Sequence, residues 1–114
     1  MILEKIKLKN FRNFEEREFS FAEGKNLIVG PNTAGKTNLL EAIYLFSSGQ
    51  SFRAKKIEEM VHFGQEVAHL EARVGGEEKR QLQIVLTNGR VGGQRTVLSR
   101  WLVNGVAKAK GNFL

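Results

Sequence analysis

Regular alternation of apolar and polar residues predicts strands at the start of the chain. Residues 2–9 alternate isoleucine and leucine with lysine, the period-two pattern of a strand with one buried and one solvated face. The same alternation over 16–21 predicts a second strand that pairs with the first. After a turn at 22–24, the apolar run 26–29 predicts a third strand.

A change to helical spacing predicts one main helix. From Thr37 onward the apolar residues recur at intervals of three and four, which leaves Asn38 and Glu41 for the opposite, solvated side. We expect about three turns, a common helix length, ended by Gly49. A second helix is predicted over 57–63.

The second half of the chain predicts antiparallel strands over 66–74, 80–87 and 96–103, separated by turns that contain glycine. Asn104-Gly105 is a typical two-residue hairpin turn. Strand, loop and helix followed by an antiparallel portion predict an α/β fold.

One segment between the third strand and the helix matches the phosphate-binding pattern G-x-x-x-x-G-K-[ST]. Its residues are Gly30, Pro31, Asn32, Thr33, Ala34, Gly35, Lys36 and Thr37. The glycines allow a tight loop whose N–H groups point at a β-phosphate, assisted by the positive end of the following helix. Lys36 brings a positive charge to the β- and γ-phosphates, and the Thr37 hydroxyl is a ligand for Mg²⁺. The segment predicts nucleotide binding.

Net charge favours a nucleic-acid partner. The chain carries +6 with an isoelectric point near 9.9, and cationic side chains release counterions when they neutralise phosphates. No acidic residue follows Glu78, whereas Arg90, Arg95, Arg100, Lys108 and Lys110 contribute +5 of the net charge. Acidic residues beyond Leu114 in a longer protein are the equally weighted alternative to DNA binding.

Several residue types and patterns are missing. No apolar run is long enough for a membrane helix and no signal-peptide pattern is present, so we expect a cytoplasmic protein without membrane attachment. The lack of cysteine excludes disulfides and thiolate metal sites. The lack of aspartate excludes the usual Walker B residue that helps to hold Mg²⁺, so we expect the chain to bind nucleotide better than it hydrolyses it.

Four motifs in order resemble the start of RecF proteins, within the SMC-like class of ABC-type ATPases. They are Leu8 to Phe14 with its Asn-Phe-Arg-Asn, the phosphate loop, Lys36 to Tyr44, and Ser51-Phe52-Arg53. The resemblance is firm over 1–65 and implies a P-loop NTPase, in which 1–114 forms the N-terminal portion of an ATPase head without its Walker B and signature regions. Ser47 to Ser51 resembles the ABC signature, but it lies too close to Lys36 and is interpreted as a turn that ends the helix.

The resemblance also implies a function. RecF proteins bind ATP and Mg²⁺, form a head-to-tail homodimer around two nucleotides, and engage double-stranded DNA beside single-stranded gaps. There they act with RecO and RecR and assist loading of RecA in recombinational repair and replication restart. The alternatives are the head of another SMC-like ATPase, an overcoming-lysogenisation-type nuclease, or a truncated nucleotide-binding module without turnover.

Carried over by position, the resemblance places Arg12 and Asn13 near the nucleotide. It gives Arg53 the place of an arginine that couples DNA contact to hydrolysis, although a solvated arginine beside two lysines is the favoured interpretation. Thr33 replaces a glycine common in the family, and a positive φ there would strain it by about 1 kcal/mol or more.

Histidines and aromatic residues receive mainly structural interpretations. His62 and His69 are expected to be structural. The phenylalanines of the first two strands are more typical of core than of base stacking. Trp101 is the best candidate for stacking on a base.

Overall fold

The computed structural model describes residues 2–21, 33–75 and 78–109, and within these ranges it contains one α-helix and eight strands. The elements are β1 (Ile2–Phe11), β2 (Phe14–Ser20), α1 (Thr33–Ser48), β3 (Val67–Gly75), β4 (Arg80–Thr87), β5 (Arg90–Val91), β6 (Gln94–Arg95), β7 (Ser99–Val103) and β8 (Val106–Lys108), with a 3-10 turn at Ile57–Met60. The third predicted strand, 26–29, lies outside the described residues.

Six strands form one antiparallel sheet in the order β2-β1-β3-β4-β7-β8. The predicted pairing of the first two strands is confirmed, with Lys7 opposite Glu18 on one side and Glu71 of β3 on the other. The predicted turn at Asn104-Gly105 joins β7 to β8, and both of its residues have positive φ. This is the backbone that a two-residue type I′ turn requires.

The core lies between one face of this sheet and α1. Alternate residues of β3 are buried, as the period of two demands for a strand with one covered face. They belong to the same apolar cluster as Leu39, Ala42, Leu45 and Phe46 of α1. The lysines of β1 point to the opposite, outer face, where Lys7 and Lys9 are exposed.

The helix α1 differs from its prediction at the start and along one side. It begins at Thr33 instead of Thr37, so the second half of the phosphate loop is already helical. Its end is confirmed: Gly49 has φ +82° and donates its N–H to the Leu45 carbonyl at 2.9 Å. The predicted solvated side was wrong, because Asn38 and Glu41 are 7% and 0% exposed.

The second predicted helix was also wrong. Residues 57–60 make a single 3-10 turn, after which Val61 is extended and bridges to Phe11. His62 donates its N–H to the Asn10 carbonyl at 2.7 Å. These bonds to the β1–β2 hairpin take up backbone groups that a longer helix would have used internally.

Candidate functional site

The end of the phosphate loop forms the first turn of α1. Lys36 and Thr37 are half-buried there, whereas Gly30, Pro31 and Asn32 lie outside the described residues. Thr33 is the first residue of α1, a right-handed element that does not call for a positive φ.

This end of the helix has the electrostatics of an anion site. Its first turn contains no acidic residue, although helices commonly place carboxylates there to compensate the positive end of the macrodipole. Lys36 forms no ion pair with any residue of 2–21, 33–75 or 78–109. The residues present therefore fit the phosphates of a nucleotide.

Arg12 lies beside this helix in the two-residue turn between β1 and β2, where Phe11 pairs with Phe14. Its φ is +53°, a left-handed conformation that costs a non-glycine residue about 1 kcal/mol or more. Two bonds hold it: its N–H donates to the Met60 carbonyl at 2.8 Å, and its carbonyl lies 2.5 Å from Nδ1 of His62. The tautomer with a proton on Nδ1 donates this bond, so His62 has a structural role, as expected.

The Arg12 guanidinium donates two parallel hydrogen bonds to Glu41 on α1, from Nε to Oε1 and from Nη2 to Oε2, both 2.8 Å. Two residues of the loop after the helix reach the same carboxylate. Arg53 donates from Nη2 to Oε1 at 3.1 Å, and Ser51 donates from Oγ to Oε2 at 2.5 Å. A carboxylate with no exposed surface thus accepts hydrogen bonds from two cationic side chains and a hydroxyl.

Burial by itself raises the pKa of Glu41. Hydrogen bonds from Arg12, Arg53 and Ser51 outweigh that cost and hold the pKa at about 2, below the ordinary value of 4.5. Glu41 is therefore ionised at neutral pH, and it fixes the direction of both arginines.

Two asparagines extend the same group of contacts. Asn38 donates from Nδ2 to Oδ1 of Asn13 at 2.5 Å, and Nη2 of Arg53 donates to Oδ1 of Asn38. We call these six residues the Glu41 cluster: Arg12, Asn13, Asn38, Glu41, Ser51 and Arg53. Arg53 is exposed, as the interpretation of a solvated side chain expects, but its guanidinium is also bound to Asn38 and Glu41 of the helix.

The cluster contains two positive charges and one negative charge, next to the helical turn that carries Lys36. The side chains of Arg12 and Arg53 are 21% and 36% exposed, and a guanidinium has five N–H donors. Each arginine can thus hold Glu41 and still present donors to an anion. No motif in the sequence singled out Glu41 as a site residue, although a glutamate within the apolar stretch Leu39 to Phe46 was a usable signal.

Comparison with known proteins identifies the family. The RecF/RecN/SMC N-terminal domain matches residues 2–107 of the chain. The chain belongs to this family. The resemblance to RecF proteins, based on the four motifs, is confirmed.

Members of the RecF/RecN/SMC family show how much of a protein the chain represents. It is 45% identical over 74 residues to the DNA replication and repair protein RecF of Lachnospira eligens, covering 65% of the chain and 20% of that protein. It is 37% identical over 94 residues to RecF of Proteus mirabilis, covering 81% of the chain and 26% of that protein. The chain therefore spans about a fifth to a quarter of these relatives.

Solved structures agree with the family assignment. A structure of the recombination mediator protein RecF-ATP in the RecFOR pathway matches with a TM-score of 0.79 and 36% identity, over 97% of the chain and 29% of that protein. The SMC head domain from Thermotoga maritima matches with a TM-score of 0.72 and 23% identity, over 96% of the chain and 39% of that domain. The predicted ABC/SMC-type head fold is confirmed.

Other candidate groups contribute little to a site. Trp101 is 4% exposed and belongs to the core, so the stacking role predicted for it was wrong. Its Nε1 donates to Oγ of Ser99 at 3.2 Å. In the part of the chain that the structure describes, no three histidines or carboxylates gather as a metal site, and no helix has the length and apolarity to cross a bilayer.

Proposed function

We propose that the chain is the nucleotide-binding N-terminal portion of a RecF-like, ATP-dependent DNA-repair protein. One observation carries this proposal: the phosphate-loop sequence runs directly into the first turn of α1, which holds Lys36 and lacks any acidic residue. A helix start with this sequence and charge favours a polyphosphate.

The proposed roles follow from the chemistry of each residue. Within the loop, the residues from Asn32 to Gly35 supply backbone N–H groups to the phosphates. Lys36 provides a mobile positive charge, and the Thr37 hydroxyl is a ligand for Mg²⁺ once nucleotide is bound. Arg12 and Asn13 lie on the hairpin turn that contacts α1, so we propose that they border the nucleotide.

The partners of the whole protein are part of the same proposal. A RecF-like protein would form an ATP-dependent homodimer and bind double-stranded DNA near single-stranded gaps. It would act there with RecR and RecO to assist RecA loading in the cytoplasm. The net charge of +6 supports a DNA partner, and the RecF relatives support a role in repair.

A nucleotide-binding module without turnover is the second candidate for the chain alone. The absence of aspartate supports it, because phosphoryl transfer needs a metal-holding carboxylate and a positioned water in addition to the phosphate loop. We expect MgATP to bind the chain without measurable release of phosphate.

Calorimetric titration with MgATP tests the phosphate site. The variant Lys36→Ala should weaken binding by about tenfold or more, because it removes a charged contact worth about 1.5–3 kcal/mol. The matched control is Lys9→Ala, which removes an exposed lysine from the outer face of the sheet and should leave the affinity unchanged.

Equal losses in both variants would mean that overall charge, and not the loop, attracts the nucleotide. Absence of binding by the original chain would reject the proposed function for the chain by itself. Thermal melting of each variant separates a lost site from a lost fold.

A further inference from the structure

The ribbon formed by β5 and β6 stands apart from the main sheet. Gly92 and Gly93 make its turn with φ of +59° and +81°, as a type I′ hairpin requires. A Cβ at either glycine would meet no atom within 4 Å. The tip of the ribbon is therefore open to any large partner.

Two arginines face each other across this ribbon. Arg90 is the direct cross-strand partner of Arg95, and like charges in that position destabilise a strand pair. Both are exposed, and neither forms an ion pair with a residue in the described ranges. An anion placed between them would turn this repulsion into attraction, and the guanidinium fork matches the oxygens of a phosphate.

The ribbon is held firmly at its base. Thr87 donates from Oγ1 to the Val97 carbonyl at 2.6 Å and from its N–H to the Leu98 carbonyl at 2.9 Å. The N–H of Thr96 donates to the Gly89 carbonyl at 3.0 Å. Because these bonds order the backbone of the ribbon before any partner binds, binding through the two arginines costs little backbone conformational entropy.

Few carboxylates lie near the β5–β6 ribbon. From Lys79 to Ala109 the chain contains none. The Glu66 carboxylate, from outside this stretch, lies at the turn of the ribbon, where its Oε1 accepts a bond from the Gly92 N–H at 3.3 Å. Two arginines and this one carboxylate leave the ribbon with a net positive charge.

The other described basic residues of 79–109 lie elsewhere: Lys79 forms an ion pair with Glu4, and Arg80 is opposite Val74 on β3. Arg100 pairs with Val85 on the outer face of the sheet, whereas Lys108 is opposite the buried Trp101. The ribbon is thus where the basic stretch seen in the sequence places two cations side by side.

We infer that the β5–β6 ribbon is a DNA contact, in which Arg90 and Arg95 together bind the phosphate backbone of a duplex without reading its sequence. This inference rests on the DNA binding proposed above and assigns it a location. The narrow, glycine-tipped ribbon also has a shape that a DNA groove admits.

The test is fluorescence anisotropy with a labelled DNA duplex of about 30 base pairs, titrated with the chain in the presence of MgATP over a series of salt concentrations. The double variant Arg90→Gln/Arg95→Gln should lower the affinity regardless of DNA sequence. It should also reduce the slope of log K against log salt by roughly 2, since each phosphate contact contributes about 0.9.

The matched control is Lys7→Gln/Lys9→Gln, which removes the same charge from exposed positions on the outer face of the sheet. The control should lose clearly less affinity and salt slope than the ribbon variant. Equal losses, or an unchanged ribbon variant while the original chain binds, would overturn the ribbon assignment alone. No duplex binding by the original chain would overturn both the assignment and the proposed DNA binding.

Discussion

At the scale of single residues, Glu41 shows how a charge is kept inside a small protein. Its carboxylate has no exposed surface, and a bare charge there would cost several kcal/mol. Arg12 from the hairpin turn and Arg53 from the loop after α1 repay that cost. One carboxylate therefore joins three segments of the chain around the helix that carries the phosphate loop.

Replacing Glu41 by glutamine should destabilise the fold by about 2 kcal/mol at neutral pH, because charged hydrogen bonds become neutral ones and two arginines lose their counter-ion. Urea unfolding measures the change. Glu58→Gln, at an exposed position of the 3-10 turn, is the control and should stay within about 0.5 kcal/mol of the original chain.

The difference in stability between the original chain and the Glu41→Gln variant should depend on pH. Since the folded-state pKa of Glu41 is lowered from 4.5 to about 2, its stabilising effect is complete above the higher value and disappears as pH falls through the lower one. The stability gap between the original chain and Glu41→Gln should therefore shrink with acidification between these values. A gap that stays constant over this range would contradict the assignment of a charged Glu41.

At the scale of elements, a glycine sets the end of α1. Gly49 takes φ +82° and donates to the Leu45 carbonyl, the arrangement by which glycine commonly closes a helix. At the other end the phosphate loop passes into the helix at Thr33. The end of the element that carries Lys36 is therefore set by a local signal.

Gly49→Ala should destabilise the chain by about 1 kcal/mol, because alanine adopts a left-handed backbone only with strain. Thermal unfolding followed by circular dichroism measures this. Ser47→Ala, at an exposed position inside the helix, should be neutral or slightly stabilising, since alanine is the better helix former. A Gly49→Ala protein as stable as the original would show that the helix end relaxes without a left-handed residue.

At the scale of the whole molecule, one apolar cluster joins the sheet to the helix. It includes Leu70 in the middle of the sheet, Leu45 on α1 and Trp101 on β7. Among the described residues, neither layer has a separate apolar cluster of its own to stabilise it. The sheet and the helix should therefore unfold together.

Trp101 is the only tryptophan of the chain, so its fluorescence reports on β7 while circular dichroism reports mainly on α1. The two urea transitions should coincide. Leu70→Ala should shift both to lower urea by the same amount, for a loss of about 3 kcal/mol. Separate midpoints for the two signals would show that helix and sheet are independent.

Local signals in the sequence determined the main strands, the turn at Asn104-Gly105 and the end of α1. Each of these features depends on periodicity or on the backbone preference of one or two residues. Residues that are neighbours in the chain are sufficient to specify such features. The phosphate-binding pattern of 30–37 was likewise recognised from the order of its residues alone, and phosphate binding there stays a prediction.

Tertiary structure alone decided the Glu41 cluster, the extended segment at Val61 and the burial of Trp101. Arg12 and Glu41 are 29 residues apart in the chain, so no local pattern relates them. A glutamate on a helix favours solvent until an arginine from elsewhere compensates its burial. The pattern of residues 57–63 favours a helix, but the β1–β2 hairpin provides other hydrogen-bond partners for their backbone groups. These choices depend on which surfaces meet in the folded chain.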